Sequence, residues 1–148
     1  MSQFKDELTG AKSPAVVKDL AALAERTVDE QSGLTGKLIQ GAYKTATKVD
    51  SNISEKAARQ LLPELAKELE PFWDEFQSRD HSGGFGEFLN QRSEQVSSLL
   101  LESADRQAGK VNNQALQKVY KPLRGKIAKI VEAKVPEIGE VLAKHVQG

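Results

Sequence analysis

The sequence predicts an all-α protein, and three observations lead to this fold class. Apolar residues recur at intervals of three and four along almost the whole chain, which is the spacing of amphipathic helices. No segment alternates apolar and polar residues with the period of two that is typical of strands. All five prolines can be placed at helix starts or kinks. We therefore expect a single compact domain over residues 1–148, with about six to eight helices.

The first two long helices are delimited by short polar signals. Ser13-Pro14 has the form of an N-cap followed by a proline at the first helical position. The apolar face that follows is interrupted by the segment 31–36, and a second apolar stripe then covers 38–49. Asn52 and Glu55 have the spacing of a capping box, which predicts the start of a third helix.

The third apolar stripe is the longest and passes through two prolines. It covers residues 57–76 and contains Pro63 and Pro71. Because a proline inside a helix loses one hydrogen bond and clashes with the preceding turn, two alternatives are open. The stripe is either one kinked helix or two or three short helices that share a buried face.

Two further helical regions follow the Gly83-Gly84 pair. The spacing over 85–104 predicts one helix of about six turns, which Gly109 is expected to end. Asn112-Asn113 then predicts the start of a last region over 116–142, which is again punctuated by two prolines.

The aromatic residues are concentrated in one part of the chain. Five of the eight flank a polar turn at 78–84: Phe72, Trp73, Phe76, Phe85 and Phe88. A helical hairpin closed by that turn would bring these rings together at one end, and aromatic side chains dominate core and interface energies. We expect Trp73 to be largely buried against its aromatic neighbours. The candidate residues for binding a ligand or a partner are Trp73, Phe76, Phe85, Phe88 and Arg92.

Arg92 is a candidate because its position falls on the apolar face of the helix predicted over 85–104. A charged side chain on such a face is seldom fully buried without a partner. Three alternatives are open for it. The guanidinium reaches solvent from the edge of the stripe, pairs with an Asp or Glu inside the fold, or contacts a ligand.

The charges sum to zero but are unevenly distributed. Residues 50–109 carry a net charge of −6, and residues 110–148 carry +5. The two regions are expected to face each other within the fold or across an oligomer. The alternative is an anion-facing patch, for which Lys121, Arg124 and Lys126 are the candidates. Since no recognised nucleic-acid module accompanies them and no aromatics are interleaved, we expect negligible DNA binding at physiological salt.

The sequence carries little that indicates catalysis, a metal or a cofactor. The absence of cysteine excludes thiolate chemistry and cysteine metal sites. The glycines within 32–37 are too close together for a phosphate-binding loop. His81 beside Asp80 has the composition of a proton-transfer pair, although a solvated turn histidine is the simpler interpretation. We therefore expect no cofactor and no metal.

The start of the chain and its hydropathy predict where the protein acts. The first residues are polar and lack the basic and apolar regions of a signal peptide. No segment approaches the roughly 20 apolar residues that a membrane span needs. We expect a cytoplasmic protein that does not insert into membranes.

Several short segments resemble those of an uncharacterised family of small helical actinobacterial proteins. These segments cover 32–36 with 42–44, 61–65, 71–73, and 119–120 with 123–124. The resemblance spans nearly the whole chain and rests on packing and turn motifs. It implies a bacterial cytoplasmic setting, and it implies no activity and no functional residues.

Three functions are compatible with these features. The first is a non-catalytic helical protein that binds another protein or itself, as a weak homodimer. The second is a carrier of a small apolar or amphipathic ligand in a pocket near Phe72–Phe88. The third is an enzyme of unrecognised type.

Overall fold

The computed structural model describes residues 4–78, 84–110 and 114–147, and these ranges contain seven helices and no strand. The prediction of an all-α fold is therefore confirmed. The helices are α1 Phe4–Thr9, α2 Ser13–Glu30, α3 Gly33–Val49, α4 Ile53–Ser78, α5 Phe85–Asn90, α6 Ser93–Gly109 and α7 Gln114–Gln147. The pair Asp80-His81 and the predicted cap at Asn112-Asn113 lie outside the described residues.

The two longest helices, α4 and α7, organise the fold. Each of the five shorter helices packs against one or both of them. The small helix α5 packs mainly against α7, and α2 packs mainly against α4. Helix α3 packs mainly against α7 and α2. One hydrophobic core extends from α1 and α2 through α4 to the C-terminal part of α7.

The proline-containing helices are continuous. Helix α4 runs through Pro63 and Pro71 over 26 residues, and α7 contains Pro122 and Pro136 within 34 residues. The alternative of several short helices is therefore wrong for the stripe over 57–76. Both prolines of α4 are exposed, while the opposite face is buried in the core, so tertiary packing offsets the lost hydrogen bonds.

The single helix predicted over 85–104 is wrong, because the chain forms α5 and α6 with a turn between them. The Arg92 N–H donates to the Leu89 carbonyl at 2.8 Å, and the Val96 N–H donates to the Arg92 carbonyl at 2.9 Å. The apolar spacing continues across the turn, since Leu89 and Val96 are both fully buried. Helix α6 ends at Gly109 as expected.

The direction of α5 is set by a close contact with α7. A Cβ atom built on Gly139 would lie 2.9 Å from the Cα of Gly86 and 2.9 Å from a methyl group of Leu89. The two helices can approach this closely only because glycine occupies both positions. The turn before α6 lets α5 keep this contact while α6 packs against α4 as well as α7.

Two of the predicted helix starts differ in detail from the structure. The N-cap of α2 is Lys12, without a side-chain cap, and Ser13 is already helical. Pro14 does lie in the first turn, where its missing N–H costs nothing. The Asn52 N–H donates to Asp50 Oδ1 at 2.9 Å, so Asp50 takes the acceptor role that the capping box assigned to Glu55.

The glycines at the start of α3 have a structural explanation. Gly33 has a φ of +70°, in the left-handed region that favours glycine. A Cβ atom on Gly36 would lie 2.6 Å from the backbone carbonyl carbon of Gln31. The break between α2 and α3 is therefore a tight turn at residues 31–32, and 33–36 form the first turn of α3. A turn is what the sequence predicted in preference to a phosphate-binding loop.

Candidate ligand-binding cavity

The predicted aromatic residues come together in the core. Trp73 is 6% exposed, and its ring centroid lies 4.9 Å from that of Phe85 and 5.5 Å from that of Phe76. Phe4 of α1, which was not predicted, stacks on Trp73 at 5.4 Å. The burial predicted for Trp73 is confirmed. We call this region the aromatic end; it consists of Phe4, Phe72, Trp73, Phe76, Phe85 and Phe88.

Arg92 completes the aromatic end at its edge. Its guanidinium lies 4.1 Å from the centroid of the Phe88 ring, and Nη2 lies 3.2 Å from Glu75 Oε1. Nη1 also donates to the Phe88 carbonyl at 3.3 Å. Of the three alternatives for Arg92, this geometry matches a half-buried structural pair. The side chains of the aromatic end pack on one another, and none of them lines either of the two cavities described next.

An apolar cavity of about 390 Å³ lies at the other end of α4. It is lined by residues from α2, α3, α4, α6 and α7 and is partly open to solvent. Most of its walls are aliphatic, with side chains that include Leu20, Val28, Leu61, Leu100, Ile127 and Ile130. The α4 wall extends from Ser54 to Leu65, and Phe76 follows about 16 Å further along the helix. We call this region the apolar cavity.

Several buried aliphatic side chains beside the cavity lie outside the continuous core. Leu23, Ile39 and Leu101 are each less than 9% exposed, but none of them belongs to the continuous hydrophobic core. All three line the cavity, and no lining side chain is aromatic. Leu61, Ile127 and other lining residues are only half-buried. The cavity is partly open to solvent, so it leaves apolar surface without a protein partner.

The few polar side chains of the cavity wall are already hydrogen-bonded within the protein. Thr27 donates to the Leu23 carbonyl at 2.7 Å, and Gln31 Nε2 donates to the Thr27 carbonyl at 2.9 Å. The Ser54 hydroxyl lies 2.7 Å from the Tyr43 hydroxyl. Ser103 accepts from Arg106 Nη2 at 3.1 Å. The polar groups therefore hold the wall in place.

A second, more open cavity of about 350 Å³ adjoins the apolar cavity. We call it the lysine cleft, because Lys126, Lys129 and Lys134 of α7 line it together with Gln31, Thr35, Ile130 and Ala133. Gln31, Ile130 and Lys134 line both cavities, so the two are adjacent. Lys134 pairs with Glu30 at 2.8 Å and Glu137 at 2.9 Å, and the bond to Glu30 is the main reason that its pKa is raised.

The predicted anion-facing patch is not one surface. Arg124 binds Asp105 through two nitrogens, with Nε at 2.9 Å from Oδ1 and Nη2 at 2.7 Å from Oδ2. Lys126 lines the lysine cleft, whereas Lys121 is exposed elsewhere. Lys121 and Lys126 are five positions apart, so they project from α7 in directions about 140° apart. Asp105 belongs to the acidic middle, and here the two charged regions do meet within one chain.

The pair between α6 and α7 includes a tyrosine. The Tyr120 hydroxyl donates to Asp105 Oδ1 at 2.7 Å. Burial, followed by the bond to Asp105, raises the pKa of Tyr120 to about 12. The bond from Arg124, with a smaller contribution from Tyr120, lowers the pKa of Asp105. These three side chains fasten α6 to α7 beside the apolar cavity.

The described residues contain neither a cluster of three or more potential metal ligands nor a helix suited to crossing a membrane. The apolar cavity was not predicted from the sequence. Its wall residues come from five helices and lie up to 118 positions apart in the chain, and each of them has the ordinary spacing of a core face. The one usable signal is that the apolar faces of α2, α3, α6 and the middle of α7 are wholly aliphatic.

A family model matches residues 4–146 of the chain, and its description is a family of unknown function, DUF6918. Neither the curated proteins nor the solved structures contain a match. The match covers nearly the whole chain, so the resemblance to an uncharacterised family is confirmed. The chain belongs to the DUF6918 family.

Proposed function

We propose that this member of the DUF6918 family is a non-catalytic binding protein that holds a small apolar ligand in the apolar cavity. The observation that carries the proposal is the aliphatic wall around about 390 Å³ of space, within the usual size range of ligand pockets. A ligand there would cover apolar surface that the protein leaves unpaired. Each buried methylene group contributes about 0.8 kcal/mol.

The chemistry of the wall supports binding in preference to catalysis. Hydrolysis or group transfer needs a nucleophile, or an acid and base placed against the reacting atoms. The hydroxyls of Thr27, Ser54 and Ser103 are each engaged by a neighbouring protein group. The ammonium of Lys134 is held by two carboxylates. An apolar ligand can fill the space without competing for any of these bonds.

This proposal moves the predicted ligand pocket away from Phe72–Phe88. The side chains there are packed against one another and leave the aliphatic end of α4 as the better site. The cytoplasmic location and bacterial source stay predictions, as does the expectation of negligible DNA binding.

Self-association is the second candidate, and one surface favours it. Leu34 and Leu38 of α3 are 82% and 52% exposed. The buried rings of the aromatic end lend no support to the interface that the sequence suggested for a weak homodimer. Sedimentation at tens of micromolar protein tests this candidate. A dimer that dissociates in Leu34→Ser/Leu38→Ser supports it, and a monomer at every concentration contradicts it.

The cavity is tested by filling it. Ala104 of α6 lines the cavity, so Ala104→Phe places a ring in the space that a ligand would occupy. The neutral fluorescent probe N-phenyl-1-naphthylamine should bind saturably to the unmodified protein. We expect at least a tenfold loss of affinity in Ala104→Phe without a lower melting temperature, because the ring covers unpaired surface. Native mass spectrometry of the purified protein should in addition detect any ligand that is retained.

Ala15→Phe is the matched control. Ala15 is exposed on α2 and lies outside both cavities, so its substitution adds the same ring without filling the space. Probe binding should be unchanged in this variant. Equal probe affinity in Ala104→Phe and the unmodified protein, or no saturable binding at all, would contradict the proposed function.

A further inference from the structure

The lysine cleft gives the apolar cavity a polar mouth. Ile130 presents its side chain to both spaces, and Gln31 and Lys134 also border both. The two spaces therefore share part of their wall, and the polar end of a molecule in the apolar cavity would lie next to the cleft. The ligand that fits both parts has an apolar chain and a polar head.

The charge of the cleft determines which charge on the ligand's head group is favoured. Lys134 is paired with two carboxylates, Glu30 and Glu137, so these three side chains together carry a charge of −1. Lys126 and Lys129 also line the cleft, and neither ammonium has an ion-pair partner among the residues that the structure describes. Thr35 lies in the first turn of α3, whose unpaired N–H groups add positive potential. Together with Glu30 and Glu137 the three lysines sum to a charge of +1, and the unpaired positive charge lies on Lys126 and Lys129.

We propose that the ligand is a single-chain amphiphile with an anionic head group, such as the carboxylate of a fatty acid. This inference rests on the proposed function. The chain occupies the apolar cavity, and the head lies in the lysine cleft between Lys126 and Lys129. The head keeps contact with water because the cleft is open and Lys129 is exposed. The chain of the amphiphile covers the apolar wall and its head pairs with the two ammonium groups, whereas a purely apolar molecule leaves these groups unpaired.

The experiment compares two probes that differ only in the head. Dodecanoate and dodecan-1-ol have the same chain, and their affinities are measured by displacement of N-phenyl-1-naphthylamine. We expect dodecanoate to bind about tenfold more tightly at low salt, which is the combined effect of two partly exposed charge contacts. Added salt should reduce this advantage, because exposed charges are screened.

Substitution of the cleft lysines locates the effect. Lys126→Gln/Lys129→Gln should remove the advantage of dodecanoate and leave the affinity for dodecan-1-ol unchanged. Lys118→Gln/Lys121→Gln is the control, because it removes two exposed charges from the same helix outside the cleft. Dodecanoate should bind this control variant as tightly as it binds the unmodified protein. Dodecyl phosphate, measured in parallel, tells whether a phosphate head gains the same advantage as a carboxylate.

The outcomes separate the two proposals. Equal affinities for dodecanoate and dodecan-1-ol would overturn the anionic head and leave the apolar site intact. An advantage that survives Lys126→Gln/Lys129→Gln, or that is lost equally in the control variant, would overturn the placement of the head in the cleft. Failure of both probes to bind would overturn the proposed function as well.

Discussion

The two ends of α4 are packed in opposite ways. At the aromatic end, Trp73 and its neighbours place ring centroids 4.9–6.2 Å apart and leave little surface exposed. At the cavity end, Leu61 and Leu65 face about 390 Å³ of space. Both faces are apolar at helical spacing. The difference shows that apolar periodicity determines which face is turned inward, whereas side-chain size and shape determine whether that face is filled.

The largest expected effect comes from truncating one side chain at each end of α4. Trp73→Ala removes a buried ring and should lower the free energy of unfolding by about 3–5 kcal/mol. Leu61→Ala, on the same helix beside the cavity, should cost about 1 kcal/mol because that side chain is half-exposed and borders an existing space. Urea denaturation measures both values. Equal losses would mean that the two ends are packed alike.

A glycine pair on α7 sharpens the comparison. Gly139→Ala places a methyl group 2.9 Å from Gly86 Cα, which should separate α5 from α7 and cost about 1–3 kcal/mol. Gly125→Ala has open space around the same added methyl group and should stabilise the protein by about 0.5–1 kcal/mol. Melting temperatures should therefore shift in opposite directions. A melting temperature that is unchanged or raised in Gly139→Ala would disprove the tight contact between α5 and α7.

The link between α6 and α7 beside the cavity should weaken at alkaline pH. The pKa of Tyr120 is raised to about 12 in the folded protein, from about 10 in the unfolded chain. The contribution of neutral Tyr120 to the free energy of unfolding is therefore fully present below pH 10 and is lost as the pH rises towards 12. Tyr120→Phe should cost about 1 kcal/mol near neutral pH and abolish this part of the alkaline loss.

Absorbance at 295 nm and urea denaturation over the same pH range give the two readouts. In the unmodified protein, one phenol should ionise near pH 12. If Tyr120→Phe shows the same alkaline loss of stability as the unmodified protein, the loss arises elsewhere.

The smallest effect is expected at the C-terminal part of α7. Asp19 Oδ2 lies 2.6 Å from His145 Nε2, and this bond, followed by the charge of Lys144, lowers the pKa of Asp19 below its ordinary value of 3.8. The resulting stability is present above that value and is lost as the pH falls through the folded pKa. Asp19→Asn should cost a few tenths of a kcal/mol at pH 7, since the pair is partly exposed.

The measurement is the free energy of unfolding as a function of pH in the acid range. Its decrease towards low pH should be shallower in Asp19→Asn and unchanged in Asp29→Asn, which alters an exposed carboxylate on the same helix. The same pH dependence in both variants and the unmodified protein would show that the pair of Asp19 with His145 does not contribute to stability.

Most of the helices could be predicted from the sequence, but the space between them could not. The stripe over 57–76 is buried from Leu62 onwards, and Trp73 meets Phe76 and Phe85 because these residues are close in sequence. The turn at Arg92 was missed because the apolar spacing continues through it. Its cause is the contact between Gly86 and Gly139, which joins positions far apart in the chain.

The cavity was beyond sequence reasoning for a related physical reason. A void depends on how far apart several helices are held, and that distance is set by residues elsewhere in the fold. Leu23, Ile39 and Leu101 have the spacing of ordinary core residues, and nothing local indicates that their side chains do not meet. The charge of the lysine cleft was partly predicted, since Lys126 was a candidate, but its proximity to Gln31 was not.

Helix α3 is attached to the rest of the protein by very few buried side chains. Only Gly36 and Ile39 of its 17 residues are buried, and Ile39 forms part of the cavity wall. A segment with so little buried surface opens at a much lower free energy than the aromatic end. Its amide hydrogens should exchange fastest among the longer helices. Opening of α3 would then widen the cavity at a free-energy cost far below that of global unfolding.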